Sequence, residues 1–336
     1  MHEYLFRPEV ARTALVVGVV ISILFYERVQ LTTGGAIVPA YLTMFLPAPV
    51  YIVSTLATAY VTYLLVNKVI AKRWIVYGRR KFEVEVLVGL ALVSLSTVTA
   101  LGLSRWDPFL VGVAGIGMLI PGVLAHDMFR QKPQKTLFAV AATTAIVAGI
   151  LYLFTSLLEI SPLDESPLPR VAAGTGYPTQ LLLGGAIVSV VSGLVIFAKL
   201  GIRSGGFVSA AYLALVLVRP LDLLWAAALA VVTWAVVTQL VMPHLLVFGR
   251  RKLSAMILVG SLVTWTAEGV ISEVTDGAIQ PWKGFVLMSL MIPALLANDA
   301  QRQGLERTLW GASIATLSVY GALNVMDAGL VAIGVL

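Results

Sequence analysis

The run LLWAAALAVVTWAVVTQLV at 223–241 contains no charged side chain. A helix needs about 20 such residues to cross the roughly 30 Å hydrocarbon core of a bilayer. Similar runs recur, among them TALVVGVVISILFY at 13–26 and YIVSTLATAYVTYLLV at 51–66. Over 336 residues the hydrophobic share is 59% and the charged share 12%. A soluble domain of this size has too little interior to hide so much apolar side chain. The chain therefore reads as an all-α polytopic membrane protein. Its N-terminal MHEYLFRPEVAR does not end in a small-residue cleavage site, so no removable signal peptide is expected.

One string occurs twice. YGRRKFEVEVLVG at 77–89 and FGRRKLSAMILVG at 248–260 are identical at seven of thirteen positions, 171 residues apart. TGGAIVPAYL at 33–42 matches SGGFVSAAYL at 204–213 with the same displacement. PGVLAHDMFRQKPQKTL at 121–137 matches PALLANDAQRQGLERTL at 293–309 with eight identities in seventeen, displaced by 172. The chain is thus a tandem duplication, with membrane repeats at 10–157 and 181–328. The stretch between them, 158–180, is rich in Pro, Gly and acidic residues and reads as an extracytoplasmic linker.

The formal net charge is +6. In a membrane protein this reflects lysines and arginines gathered in cytoplasmic loops, so no nucleic-acid partner is expected. If both Gly-Arg-Arg-Lys loops are cytoplasmic, the repeats are parallel and each crosses the membrane an even number of times. Long apolar segments number five in the first repeat: 13–26, 50–70, 84–103, 109–125 and 136–157. A sixth, GGAIVPAYLTMFL at 34–46, is too short to span, opens on a glycine pair and is interrupted by Pro39. The reading is two parallel repeats of about six transmembrane or broken helices, with five per repeat and inverted copies as the alternative. Short Gly/Pro-broken segments at matching positions of two halves point to functional sites in membrane proteins.

There is no cysteine, which excludes disulfides, thiolate metal sites and cysteine nucleophiles. The three histidines are too scattered to suggest a metal cluster, and GVAGIGMLIPG at 112–122 lacks the GK[ST] of a nucleotide loop. Small residues at that spacing read instead as a helix-packing surface. No cofactor is expected. Arg79, Arg80 and Lys81, with Arg250, Arg251 and Lys252, read equally as topology anchors or as a docking surface for an anionic ligand or a partner's acidic face. Asp127 with Arg130, and Asp299 with Arg302, stand three apart, each pair following a proline expected to close a helix. With Asn298 they form either capped helix ends or a polar site near the membrane face. Glu27 ends an apolar segment shortly before Pro39 and reads either as an interfacial residue paired with Arg28 or as an acid in a wet pocket that backbone freed by the break at Pro39 would also line. The second repeat has Ala198 and Ala210 in their places. Glu85 and Glu268 also lie near helices.

These motifs together resemble the PgsC/CapC family, the small integral-membrane subunits of poly-γ-glutamate synthase and capsule-biosynthesis complexes. The first repeat carries the resemblance through Glu27, Val38 and Pro39, Tyr41, Gly78 to Phe82, Gly115, Gly117, Pro121, Gly122 and Ala125. The second carries it in part, through Tyr212, Gly249 to Lys252, Pro293 and Ala297-Asn298-Asp299 to Gly304. A typical member is similar to one repeat, so this chain resembles two fused copies. The resemblance implies a multi-pass protein of the plasma membrane, partnered by a cytoplasmic ATP-dependent amide ligase and by an anionic polymer that leaves through the bilayer. Further membrane or extracytoplasmic subunits fit the same picture. A stand-alone secondary transporter of an organic anion is the competing expectation, since duplicated helices with broken segments also suit one.

Overall fold

A computed structural model describes residues 6–75, 78–161, 179–245, 249–282 and 285–332. Most of the linker expected at 158–180 lies outside the described residues, as do the side chains of Arg79 and Arg250. The chain divides into two compact units, one ending at Pro167 and the other beginning at Leu168.

The first unit holds α1 (Pro8–Val29), α2 (Val38–Met44), α3 (Pro49–Leu64), α4 (Gly78–Leu103), α5 (Ile120–Gln131) and α6 (Pro133–Leu157). The second repeats the order as α7 (Thr179–Leu200), α8 (Ser209–Leu215), α9 (Pro220–Ala235), α10 (Arg250–Val274), α11 (Met288–Gln303) and α12 (Leu305–Ala332). Both α3 and α9 run on through one π-helical turn, Leu65–Ile70 and Val236–Val241. Among the described residues eight helices are long and apolar enough to cross a membrane, four in each unit. The chain is an all-α polytopic membrane protein with six helices per repeat, as expected, but two in each repeat are short rather than one.

The second short element corrects the expected span at 109–125. Pro108–Ala114 is a 3-10 turn, Gly115 and Gly117 turn the chain at φ 76° and 60°, and helix resumes only at Ile120. Of the glycines expected to serve packing, Gly122 does so: a Cβ there would stand 2.7 Å from the Val86 Cα. Pro121 does not close a helix but sits in the first turn of α5, where a missing N–H costs nothing. Pro293 lies inside α11. Pro39 likewise opens α2 instead of interrupting it. The interruption comes from Gly34 at φ 76° and Gly35 at φ 108°. The second repeat keeps a seven-residue α8 without any proline, with Ala210 in its first turn.

Helices α4 and α5 run antiparallel, because Gly89 abuts Gly122 and Glu85 meets His126. The start of α4 and the end of α5 therefore share one end of the unit. The loop after α1 joins them there, through Thr32 on Gln131. Arg28, Lys72, Arg73, Arg80, Arg130 and Lys135 are exposed around that end. Charge alone predicts that the basic end of each repeat faces the cytoplasm. Cysteines placed singly at the exposed positions Trp74 and Leu245, equivalent in the two copies, test this on a background free of native cysteine. A membrane-impermeant maleimide should label both from the cytoplasmic side only. Labelling from opposite sides would mean inverted copies.

Candidate functional site

Between α1 and α2 the chain is unwound from Gln30 to Ile37. Backbone amides inside a membrane protein have no bulk water to bond, so protein groups must satisfy them. The helix pair α5–α6 supplies those groups. Gln131 accepts the Thr32 N–H at 2.8 Å and donates through Nε2 to the Thr32 carbonyl at 2.6 Å and to Thr136 Oγ1 at 3.0 Å. Asp127, 2% exposed, accepts the Gly34 N–H at 3.1 Å. The second repeat reproduces each contact. Gln303 bonds both backbone groups of Arg203 at 2.8 Å and Thr308 Oγ1 at 3.0 Å, and Asp299 accepts the Gly205 N–H at 3.1 Å. Glycine is favoured at 34 and 205 by φ, 76° and 83°, a backbone conformation that other side chains rarely adopt. The α1 side of the loop is held less literally: Ser22 bonds the Ala36 carbonyl, whereas Ser189, from a different helical turn, bonds the equivalent Phe207 carbonyl.

A second cluster lies beside the first clamp and has no counterpart in the second repeat. Glu85, fully buried, lies about 10 Å into α4 at the usual helical rise. Its Oε2 stands 2.6 Å from His126 Nδ1, and its Oε1 has no hydrogen-bond partner among the described residues. The imidazole is 21% exposed and packs its edge on Phe82, ring centroids 4.9 Å apart. One turn before Glu85, Lys81 is 6% exposed and turns inward. Its Nζ donates to Asn67 Oδ1 at 2.5 Å and lies 2.8 Å from the centre of the Phe129 ring. Asn67 belongs to the π turn of α3, and π turns recur where a helix presents a side chain for function. At the equivalent positions the second repeat has Thr238, Met256, Asn298 and Gln301. There Lys252 donates to Gln301.

The expected site residues are therefore dispersed. Arg80 and Arg251 are exposed, as a docking surface requires, but Lys81 is withdrawn from it because its stem and ammonium find an amide and an aromatic face inside. Arg130 and Arg302 are exposed, while Asp127, Asn298 and Asp299 are buried. Asp299 also faces Arg203 at 3.6 Å. Glu27 is half-buried in the last turn of α1, and Pro39 and Tyr41 are buried in α2. Glu27 and the start of α2 stand apart along α1. Ala40 abuts Gly18 of α1, some nine residues and about 13 Å along the helix from Glu27. The Glu85–His126 pair was missed by motif reading. Its one signal was an acid placed four residues after Lys81 and inside an apolar run.

The family model described as "Capsule biosynthesis CapC" matches the chain twice, at residues 17–137 and 188–309. The capsule biosynthesis protein CapC of Bacillus anthracis is 32% identical over 145 residues, which cover 42% of this chain and 95% of that protein. The PGA biosynthesis protein CapC of Bacillus subtilis (strain 168) is 29% identical over 142 residues, covering 42% of this chain and 93% of that protein. No solved structure matches.

The clamp makes a quantitative prediction. Gln131→Leu leaves the Thr32 N–H and carbonyl without their protein partner, at a cost of about 1–3 kcal/mol for an unsatisfied buried group. Thermal unfolding in detergent should show that loss, and Gln303→Leu should show a similar one. An unchanged unfolding temperature in both variants would mean the loops are held by something else.

Proposed function

The chain belongs to the CapC family of capsule-biosynthesis proteins in both of its halves, and from that premise we propose that it is a membrane subunit of a poly-γ-glutamate synthesis and export complex. The twofold family match carries this reading, since it covers most of each repeat, at residues 17–137 and 188–309. The sequence contains no motif for binding ATP, so carboxylate activation falls to a partner: a cytoplasmic ATP-dependent amide ligase. The polymer, an anionic polypeptide, leaves across the plasma membrane, with further membrane or extracytoplasmic subunits completing the path. In the first repeat the buried ionisable groups Lys81, Glu85 and Asp127 favour this over a stand-alone transporter, because they gather near one end of that repeat rather than at its middle, where a carrier would hold its substrate.

The ligase docks on the basic end. Exposed guanidinium groups steer an acidic partner and fix its orientation, and salt screens them. Lys81 is excluded from this surface by its inward turn, so the informative variant changes only arginines. With Arg79, Arg80, Arg250 and Arg251 all replaced by Gln, the ligase should dissociate from detergent-solubilised complex at a lower salt concentration than from the parent. Insertion, followed by the cysteine labelling above, should be unaltered. Retention of the ligase at every salt concentration by the fourfold variant would place docking elsewhere, and inverted insertion would make these residues topology anchors.

A further inference from the structure

The second repeat gathers positive charge where the first balances it. Arg203 lies in the unwound loop between α7 and α8, and Gln303 holds both of its backbone groups, so its side chain leaves from a fixed point. The guanidinium, 30% exposed, faces Asp299 Oδ1 at 3.6 Å, beyond the roughly 3.2 Å reach of a good N–H···O bond. Asp299 Oδ2 is taken by the Gly205 N–H. Lys252 reaches the same end of α11 from α10, half-buried and donating to Gln301. Arg302 follows Gln301 and is exposed. Lys252 thus lies in the fields of Arg302, Arg203 and Asp299, two cations and one acid. Glu306, the next acid along the chain, is exposed in the first turn of α12. In the first repeat Thr32 stands at the position of Arg203 and Phe129 at that of Gln301. Lys81 there turns in on Asn67 and Phe129, and the charge it meets is the Glu85 carboxylate. Like charges held together are costly until an anion joins them, and guanidinium groups take carboxylates and phosphates through paired N–H donors. Helix α11 is packed by α8, α9, α10 and α12 and is buried along most of its length. Its end therefore opens at the middle of the repeat's basic face, away from the rim where lipid headgroups gather.

We propose that Arg203, Lys252 and Arg302 form an oxyanion site at the end of α11 that holds the free carboxylates of a γ-linked glutamate chain. The assignment rests on the polymer reading proposed above. In a γ-linked chain the amide consumes the side-chain carboxyl, so every residue keeps its α-carboxylate. Such a chain offers oxyanions in series to a cluster of cations. Arg203 donates from the loop, Lys252 from α10 and Arg302 from α11, so three elements converge on the ligand. Asp299 orients Arg203 and competes with the ligand for it. The first repeat, with Thr32 and an inward Lys81, does not assemble these three cations.

The test uses the full chain purified in detergent and a short, fluorescently labelled γ-linked glutamate oligomer, with binding read by fluorescence anisotropy at physiological salt. Arg203→Thr installs the first repeat's residue on a backbone that Gln303 holds either way. It should weaken binding about tenfold or more, the worth of one hydrogen bond to a charged group, with thermal unfolding near that of the parent. Arg302→Gln, on an exposed side chain, should weaken binding as well. Lys135→Gln, which removes an exposed charge from the first repeat, should leave it unchanged. Equal binding by the parent, Arg203→Thr and Arg302→Gln overturns the site and leaves the polymer reading in place. A matching loss in Lys135→Gln also overturns it, since net charge alone would then explain binding. A second arm measures phosphatidylglycerol retained through purification. Loss of that lipid in Arg203→Thr, with oligomer binding unchanged, gives the cluster to a lipid headgroup and overturns the proposal. If the parent binds no oligomer, membranes carrying the whole complex receive ATP and radiolabelled glutamate. Polymer formed there overturns the site alone, and its absence overturns the polymer reading too.

Discussion

Unwound backbone inside a membrane protein has to be hydrogen-bonded by its own side chains, and in each repeat that demand is met by one aspartate and one glutamine at the end of a short helix. Asp127 and Gln131 hold the loop from Thr32 to Gly34, and Asp299 and Gln303 hold Arg203 to Gly205. The contacts are to backbone, so they tolerate Thr32 in one copy and Arg203 in the other. The clamp fixes the entry to α2 and α8 and sets the depth of α5 and α11, and through them the position of everything on the facing helices. The junction after the clamp is itself constrained. Lys132 takes φ 75°, where its counterpart Gly304 takes φ 91°, an arrangement natural for glycine and strained for lysine.

The two copies share one fold but not every buried polar group. Both repeats keep the glutamine, the aspartate, the glycine pair and the π turn, because each answers a backbone requirement. Only the first keeps a carboxylate against an imidazole. Where the second repeat has Met256, a carboxylate's desolvation is avoided and the same helix–helix contact is made by an apolar side chain, 0% exposed. The exposed Arg80 and Arg251 are shared by both copies, whereas the buried pair is single.

The membrane class, the duplication and the number of helices per repeat could be read from the sequence, since apolar runs and a 171-residue displacement survive without tertiary context. Prolines were misread. The sequence reads Pro39 as interrupting a segment and Pro121 as closing a helix, yet each lies in a first turn, and only the φ values at Gly34, Gly35, Gly115 and Gly117 locate the breaks. The polar patch after Pro121 was legible as a patch but not as a clamp, because Gln131 and Thr32 meet across 99 residues. Lys81 looked like one of three equivalent surface charges until Asn67 and Phe129 drew it in. Glu85 and His126, separated by 41 residues, carry no local motif, and their pairing depends on the close α4–α5 approach that Gly89 and Gly122 permit.

The fold of the first repeat does not require the Glu85–His126 pair, since the second repeat builds the same helices with Met256 and Asn298. Thermal unfolding of the double variant Glu85→Met, His126→Asn, which installs the second repeat's residues in the first, tests it most directly. Exchanging a buried pair for residues that need no charge compensation is neutral or stabilising, by up to about 1–4 kcal/mol. The unfolding temperature should lie at or above that of the parent. A clear fall in unfolding temperature would mean that the first repeat needs the pair to fold.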